Sequence, residues 1–124
     1  MRTCTLKLNH LPDRNLNPNR GRRLHWSARS AATSNARLEA GWIARSQWGE
    51  QEPMQKAEVS YLFRIKSKRI IDAENLRAGT KPYIDGLVDA GVLVADDWRH
   101  LISGRALIVL DGREATEITL EELA

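Results

Sequence analysis

Val59, Tyr61, Phe63 and Ile65 alternate with Ser60, Leu62, Arg64 and Lys66. A period of two puts the first set on one face and the second on the other, so the run predicts a β-strand with one buried side. Such a strand needs neighbours along its edges and a layer over its apolar face. The flanking patterns supply both. Thr3 to Asn9 alternates loosely before Pro12 and reads as an earlier strand. Leu101 to Leu110 and Arg113 to Leu120, joined across Asp111-Gly112, read as a hairpin. From about Ser27 to Gln47 the chain turns to Ala, Arg, Leu and Glu, with Ala31, Leu38, Trp42 and Ile43 at helical spacings and Gly49 and Pro53 beyond. Pro82 suits the first turn of a second helix, with Ile84, Leu87 and Val88 on its apolar side and Gly91 at its end. The expected order is β-α-β-α-β-β, an α+β two-layer fold with a small mixed sheet and two helices. A chain of 124 residues holds one core, so residues 1–124 are expected to form a single domain.

Charge divides the chain. Residues 1–70 hold 14 Lys and Arg against 5 Asp and Glu, a balance of +9, whereas residues 71–124 hold 5 against 11, a balance of −6. Cations along one stretch and acids along another suit a protein that grips a phosphate backbone and carries metal beside it, although solvated surface charge gives the same skew. Hydrophobic content is 42% and no apolar run approaches the roughly 18 residues of a membrane span. Met1 to Lys7 lacks the apolar core of a secretory signal, and the lone Cys4 has no partner for an internal disulfide. Both fit a reducing cytoplasm, with Cys4 a strand residue. A Gly-rich phosphate loop is missing, which disfavours a nucleotide cofactor. His10, His25 and His100 form no zinc-ligand spacing with one another or with Cys4.

The chemistry concentrates between residues 71 and 97. Asp72 and Glu74 are two apart at the expected end of the Val59 strand, so both carboxylates should point to one face. Acids brought together call for a divalent cation, a shared proton or solvent. Lys81 falls at the start of the second helix, where its charge opposes the helix dipole unless an anion meets it. Asp96-Asp97 follow. Taken alone, that pair is more often a turn or a helix cap than a ligand set. Asn75 is a candidate cap or outer-shell group, Asp85 is structural or outer-shell, and His25 beside Trp26 reads as packed or DNA-contacting. Trp42 and Trp48 suit the core or a subunit interface, while Trp26 and Trp98 are candidates for stacking on unpaired bases.

Asp72-Ala73-Glu74-Asn75, Lys81, Asp85-Gly86-Leu87, Gly91 and Asp96-Asp97 follow the order of a known pattern: D-x-D-N, lysine, D-[GA]-L, glycine, D-D. Upstream, Leu16-Asn17-Pro18-Asn19-Arg20 with Leu24-His25-Trp26 is similar to the N-terminal signature of the same proteins. The chain thereby resembles, over most of its length, the RusA family of crossover-junction endodeoxyribonucleases, which act in DNA recombination and repair and are common in phages and prophages. The resemblance implies that Asp72, Glu74 and one or both of Asp96 and Asp97 hold Mg²⁺, or Mn²⁺ in its place. It implies that Lys81 contacts the scissile phosphate or attacking water, that the substrate is a four-way DNA junction, and that the protein is a homodimer. Asp72, Glu74, Lys81 and Asp96 are then the catalytic set. Arg20, Arg22, Arg23 and Arg29, with Arg64, Lys66, Lys68 and Arg69, would hold the DNA backbones. Glu74 stands where the pattern has aspartate, Ala95 where an aspartate often stands, and Lys81 lies six residues after Asn75 where some members have three. Those departures leave two rivals: a DNA-binding protein without catalysis, and a nuclease for flaps or other branched DNA.

Overall fold

The computed structural model describes residues 1–18, 25–68 and 71–124. Its elements are β1 (Thr3–Leu8), a 3-10 turn (Arg14–Leu16), α1 (Trp26–Trp48), β2 (Ala57–Ile65), α2 (Ala73–Ala78), α3 (Lys81–Asp89), β3 (Leu101–Leu110) and β4 (Ala115–Glu122). The α+β class and the mixed sheet are as expected, and α2 is an additional short helix.

β2 alternates buried and half-exposed residues along its length, with Ala57, Val59, Tyr61, Phe63 and Ile65 turned into the core. Cys4, Leu6 and Leu8 of β1 and Ile118 and Leu120 of β4 join them. The strand order is β1-β4-β2-β3, with β2 and β3 parallel and the other two pairs antiparallel. β3 and β4 therefore do not form the expected hairpin. The chain turns at Gly112, in the left-handed region at φ 69°, and crosses the end of β2, where the Asp111 N–H donates to the Ile65 carbonyl at 2.9 Å. β2, buried along one whole face, takes a partner on each edge. Ile118 and Leu120 lie fully buried beside β2, whereas the mostly exposed β3 takes the sheet edge.

α1 also departs from the expected face. Its buried positions are Ala32, Ala36, Ala40, Gly41, Ala44 and Trp48, mostly a stripe four residues apart, while Leu38 and Trp42 are 64% and 75% exposed. Close helix packing explains the choice of small residues. A Cβ at Gly86 of α3 would stand 2.5 Å from the Arg37 carbonyl oxygen and 2.7 Å from the Ala40 Cβ, so the two helices touch almost backbone to backbone. Larger side chains at this seam would force them apart. No helix among the described residues is long and apolar enough to cross a membrane.

Candidate functional site

Thr80 precedes α3 without capping it, because its hydroxyl donates to the Arg77 carbonyl at 2.6 Å. Lys81 then starts the helix, and Asp85 stands one turn further along the same face. The Lys81 Nζ donates to Asp85 Oδ1 at 2.7 Å and also to Asp96 Oδ2. One ammonium thus joins a helix to the loop before β3. Burial works against the charged Lys81, but the bonds to Asp85 and Asp96 outweigh it and raise its pKa. In return, the Lys81 bond holds the Asp96 carboxyl below its ordinary value, against the opposing effect of burial. The anion that Lys81 meets at this helix start is supplied by the protein itself.

Asp96 and Asp97 separate here. Asp97 turns away to accept from the Arg99 N–H at 2.9 Å, with the Arg99 guanidinium 3.1 Å from its other oxygen. Arg99 lowers its pKa. Asp97 is thus held as a turn former, leaving Asp96 as the member of the pair that reaches the lysine. If this division carries into activity, Asp96→Asn should slow any metal-dependent cleavage by at least about 100-fold, beyond the cost of disturbing a group that merely orients a ligand. Asp97→Asn should leave it within a few-fold. Single-turnover rates of the two variants test this.

Asp72 and Glu74 are not on a strand, contrary to the sequence reading. β2 ends at Ile65, and Asp72 is the N-cap of α2, its Oδ1 accepting from the Glu74 N–H at 2.9 Å. The same spacing that would align two acids on a strand also serves a cap followed by an acid in the first helical turn, which is the better use of both residues at a helix start. Glu74 is exposed, with Arg77 Nη1 4.0 Å from its carboxylate. Arg77 is itself fixed by a 2.6 Å bond to the Gly104 carbonyl and by the Tyr61 ring beneath it.

Asp72 and Asn75 border a cleft of about 770 Å³ between α1, α2 and the segment after β1. His10, Glu39 and Tyr83 also line it, with the His10 and Tyr83 rings 6.2 Å apart between centroids. The His10 Nε2 lies 2.9 Å from both Glu39 oxygens and Nδ1 lies 2.7 Å from the Leu11 carbonyl. Two acceptors on the two ring nitrogens suit the imidazolium. Burial opposes that charge, but the Leu11 carbonyl and Glu39 together raise the pKa of His10. Sequence reasoning missed this pair because His10 and Glu39 lie 29 positions apart and no local pattern links them.

Among the candidate DNA contacts, Arg64 is engaged on the sheet by Asp111 at 2.9 Å and Glu117 at 3.2 Å. Arg29 donates to the Asn15 carbonyl at 3.3 Å, and Lys66 and Lys68 are exposed beyond the end of β2. Arg20, Arg22, Arg23 and Arg69 lie outside the described residues. His25 caps α1 through Nδ1, Trp26 and Trp98 are exposed, and Trp48 is buried.

No family model matches the chain. It is 32% identical over 114 residues to a protein of Xylella fastidiosa (strain Temecula1 / ATCC 700964) named as uncharacterized, the match covering 82% of this chain and 72% of that protein. The chain belongs to that protein's family. That protein's name carries no activity, so the chemistry rests on the residues. All the candidate ligands offer hard carboxylate oxygens, the donor type that Mg²⁺ takes, and in this respect they fit it. Among the described residues, no three His, Cys, Asp or Glu side chains stand together as a ready ligand group. Asp85 and Asp96 are gathered on Lys81, while Asp72 belongs to the neighbouring cleft.

Proposed function

We propose that this protein is a Mg²⁺-dependent endodeoxyribonuclease that resolves four-way DNA junctions in the manner of the RusA family it resembles. The observation that carries the reading is the Lys81 ammonium shared between Asp85 and Asp96, residues from separate positions of the D-[GA]-L and D-D motifs. The resemblance assigns the ion to Asp72, Glu74 and Asp96, which would have to draw together from their places beside the cleft and on Lys81 to hold it. When bound, it would polarise the scissile phosphate and lower the pKa of an attacking water. Asp96, kept ionised by Lys81, is ready as an anionic donor. Lys81, charged across the physiological range, supplies the positive charge that a developing phosphorane needs. A homodimer would offer two such sites to the two symmetric strands of a junction, giving paired nicks.

A second reading is a DNA-binding protein without catalysis. The observation favouring it is that Asp85 and Asp96 are already bound to Lys81, which offsets one of their two charges, so the basic surface alone could be the working part. Incubation of a synthetic four-way junction with the protein and Mg²⁺, beside linear duplex, a flap and an EDTA control, separates the readings. Symmetric nicks in the junction arm only, lost with EDTA, are the expected result. Binding without any nick would favour the second reading, and faster cutting of the flap would change the substrate.

The basic segment has its own test. Replacing Arg20, Arg22 and Arg23 together by Ala should weaken junction binding and reduce the steepness of its salt dependence by roughly 2 to 3, since each duplex phosphate contact contributes about 0.9 to that slope. Melting temperature serves as the control for misfolding, since a substitution that leaves packed features intact changes stability by about 0.5 kcal/mol or less. An unchanged slope in the folded variant would move the DNA path to Lys66 and Lys68.

A further inference from the structure

α2 brings two acids to the proposed site, Asp72 as its N-cap and Glu74 in its first turn. Yet it is six residues long and buries none of them. Isolated helices under about 12 residues are marginal in water, so contacts with the sheet must fix this one. Leu76 contributes by packing, partly buried, against the core. The polar tie is Arg77, in the last turn. Its Nη2 donates to the Gly104 carbonyl of β3 at 2.6 Å, and its guanidinium carbon lies 5.4 Å from the centroid of the Tyr61 ring on β2. The strand is shaped for this contact. Val59 faces Ser103 and Tyr61 faces Ala106, so Gly104 and Arg105 together oppose Ser60, and the extra residue breaks the ladder where Arg77 takes the carbonyl. A Cβ at Gly104 would stand 2.6 Å from the Val59 carbonyl oxygen, which reserves the position for glycine. Arg77 holds its place at some expense, because its Nε is buried and has no hydrogen-bond partner among the described residues.

We infer that Arg77 is the positioning residue of the candidate site: by pinning α2 to the break in β3, it fixes where Asp72 and Glu74 stand relative to Asp96. The inference rests on the reading of those three acids as metal ligands. Asp96 lies in the loop that leads into β3. The Arg77 bond therefore relates α2 to the strand behind that loop, as Lys81 relates α3 to the loop itself. The same guanidinium reaches Glu74, with Nη1 4.0 Å from Oε1. That separation is beyond a hydrogen bond, so the carboxylate stays open to an ion.

Calorimetry of the full chain with Mn²⁺ as the probe, without DNA, tests the site. Hydrogen exchange of the Leu76 and Gly79 amides, which donate to the Asp72 and Asn75 carbonyls, tests the helix. Arg77→Ala should weaken Mn²⁺ binding at least about tenfold, the lower range for losing a group that orients a ligand. Exchange at both amides should rise at least about tenfold, as expected for loss of a hydrogen bond from a charged donor, with the β4 amides unchanged as the folding control. Charge alone predicts the opposite sign, since removing a cation beside Glu74 would tighten the binding of another. Arg77→Lys keeps the charge but loses the planar fork, so it should also weaken binding, and it stands in should Arg77→Ala loosen β4. Mn²⁺ binding at wild-type strength or tighter in these variants would overturn the inference. If the wild-type chain takes up no Mn²⁺, it is the metal reading that fails, and exchange decides the anchor: faster exchange in α2 of Arg77→Ala sustains it, and unchanged exchange overturns it.

Discussion

Asp72→Asn is expected to abolish junction cleavage, with a loss above about 100-fold, the upper range for disturbing a group that only orients a metal ligand. Junction binding should be unchanged or tighter, because one negative charge facing phosphate is gone. The structure makes this substitution unusually clean. Asp72 Oδ1 caps α2 by accepting from the Glu74 N–H, and asparagine caps a helix about as well as aspartate. Melting temperature should therefore hardly move. Asp72→Ala, by contrast, gives up the cap and should cost about 1 kcal/mol of stability as well as activity. Gel-shift affinity, single-turnover rate and thermal melting on the same preparations separate charge from cap. Near-normal cleavage by Asp72→Asn would remove Asp72 from the proposed metal site.

The largest effect on stability is expected at Gly86. An added Cβ meets the Arg37 carbonyl oxygen, the Ala40 Cβ and the Gly41 amide nitrogen, all within 3.0 Å. Two of these are backbone atoms of α1, which cannot yield as a flexible side chain would. Gly86→Ala should then cost about 3 kcal/mol, the upper end for overpacking a tight core. For a domain of this size that is a fall in melting temperature of about 10 °C. Gly91→Ala serves as the comparison. Gly91 has φ 79° and nothing within 4 Å of an added Cβ, so only backbone strain of about 1 kcal/mol applies. Equal losses at the two positions would mean that the α1–α3 seam is looser than described. The substitution also reaches the candidate site, since α3 carries both Lys81 and Asp85.

β2 was legible because its periodicity is local and strict, and the end of α3 at Gly91 because a left-handed residue there excludes most others. The partner of β4 was not. Hairpin chemistry at Asp111-Gly112 is a local signal, whereas the choice of β2 and β1 as neighbours is made by burial of Ile118 and Leu120 against strands far away in the chain. The buried side of α1 misled for a related reason: large apolar residues were expected inward, but helix contact at Gly86 admits only small ones, and Leu38 and Trp42 were left outside. At the site, the residues were visible and their grouping was not. Asp85 read as structural or outer-shell, and it shares Lys81 with Asp96; Asp97, inseparable from Asp96 on paper, is occupied by Arg99. Distinguishing them required knowing which way one loop turns.

The strand order has a consequence for how the chain comes together in time. Thr3 pairs with Glu121 and Leu8 with Thr116, so β1, the first element in chain order, finds its neighbour only in the last, and Arg2 closes the same seam through Glu122 at 2.7 Å. Everything from Asp72 to Asp96 instead lies within the single crossover that links two adjacent strands, β2 and β3. Short chain closures form before long ones. As the chain emerges during synthesis, the candidate site segment can therefore gather while the sheet beneath it is still open. β1 must wait through more than a hundred residues for its strand partner. Because β4 then inserts between β1 and β2 rather than along an outer edge, its arrival is less the last addition to a finished sheet than the event that makes the two halves one cooperative unit.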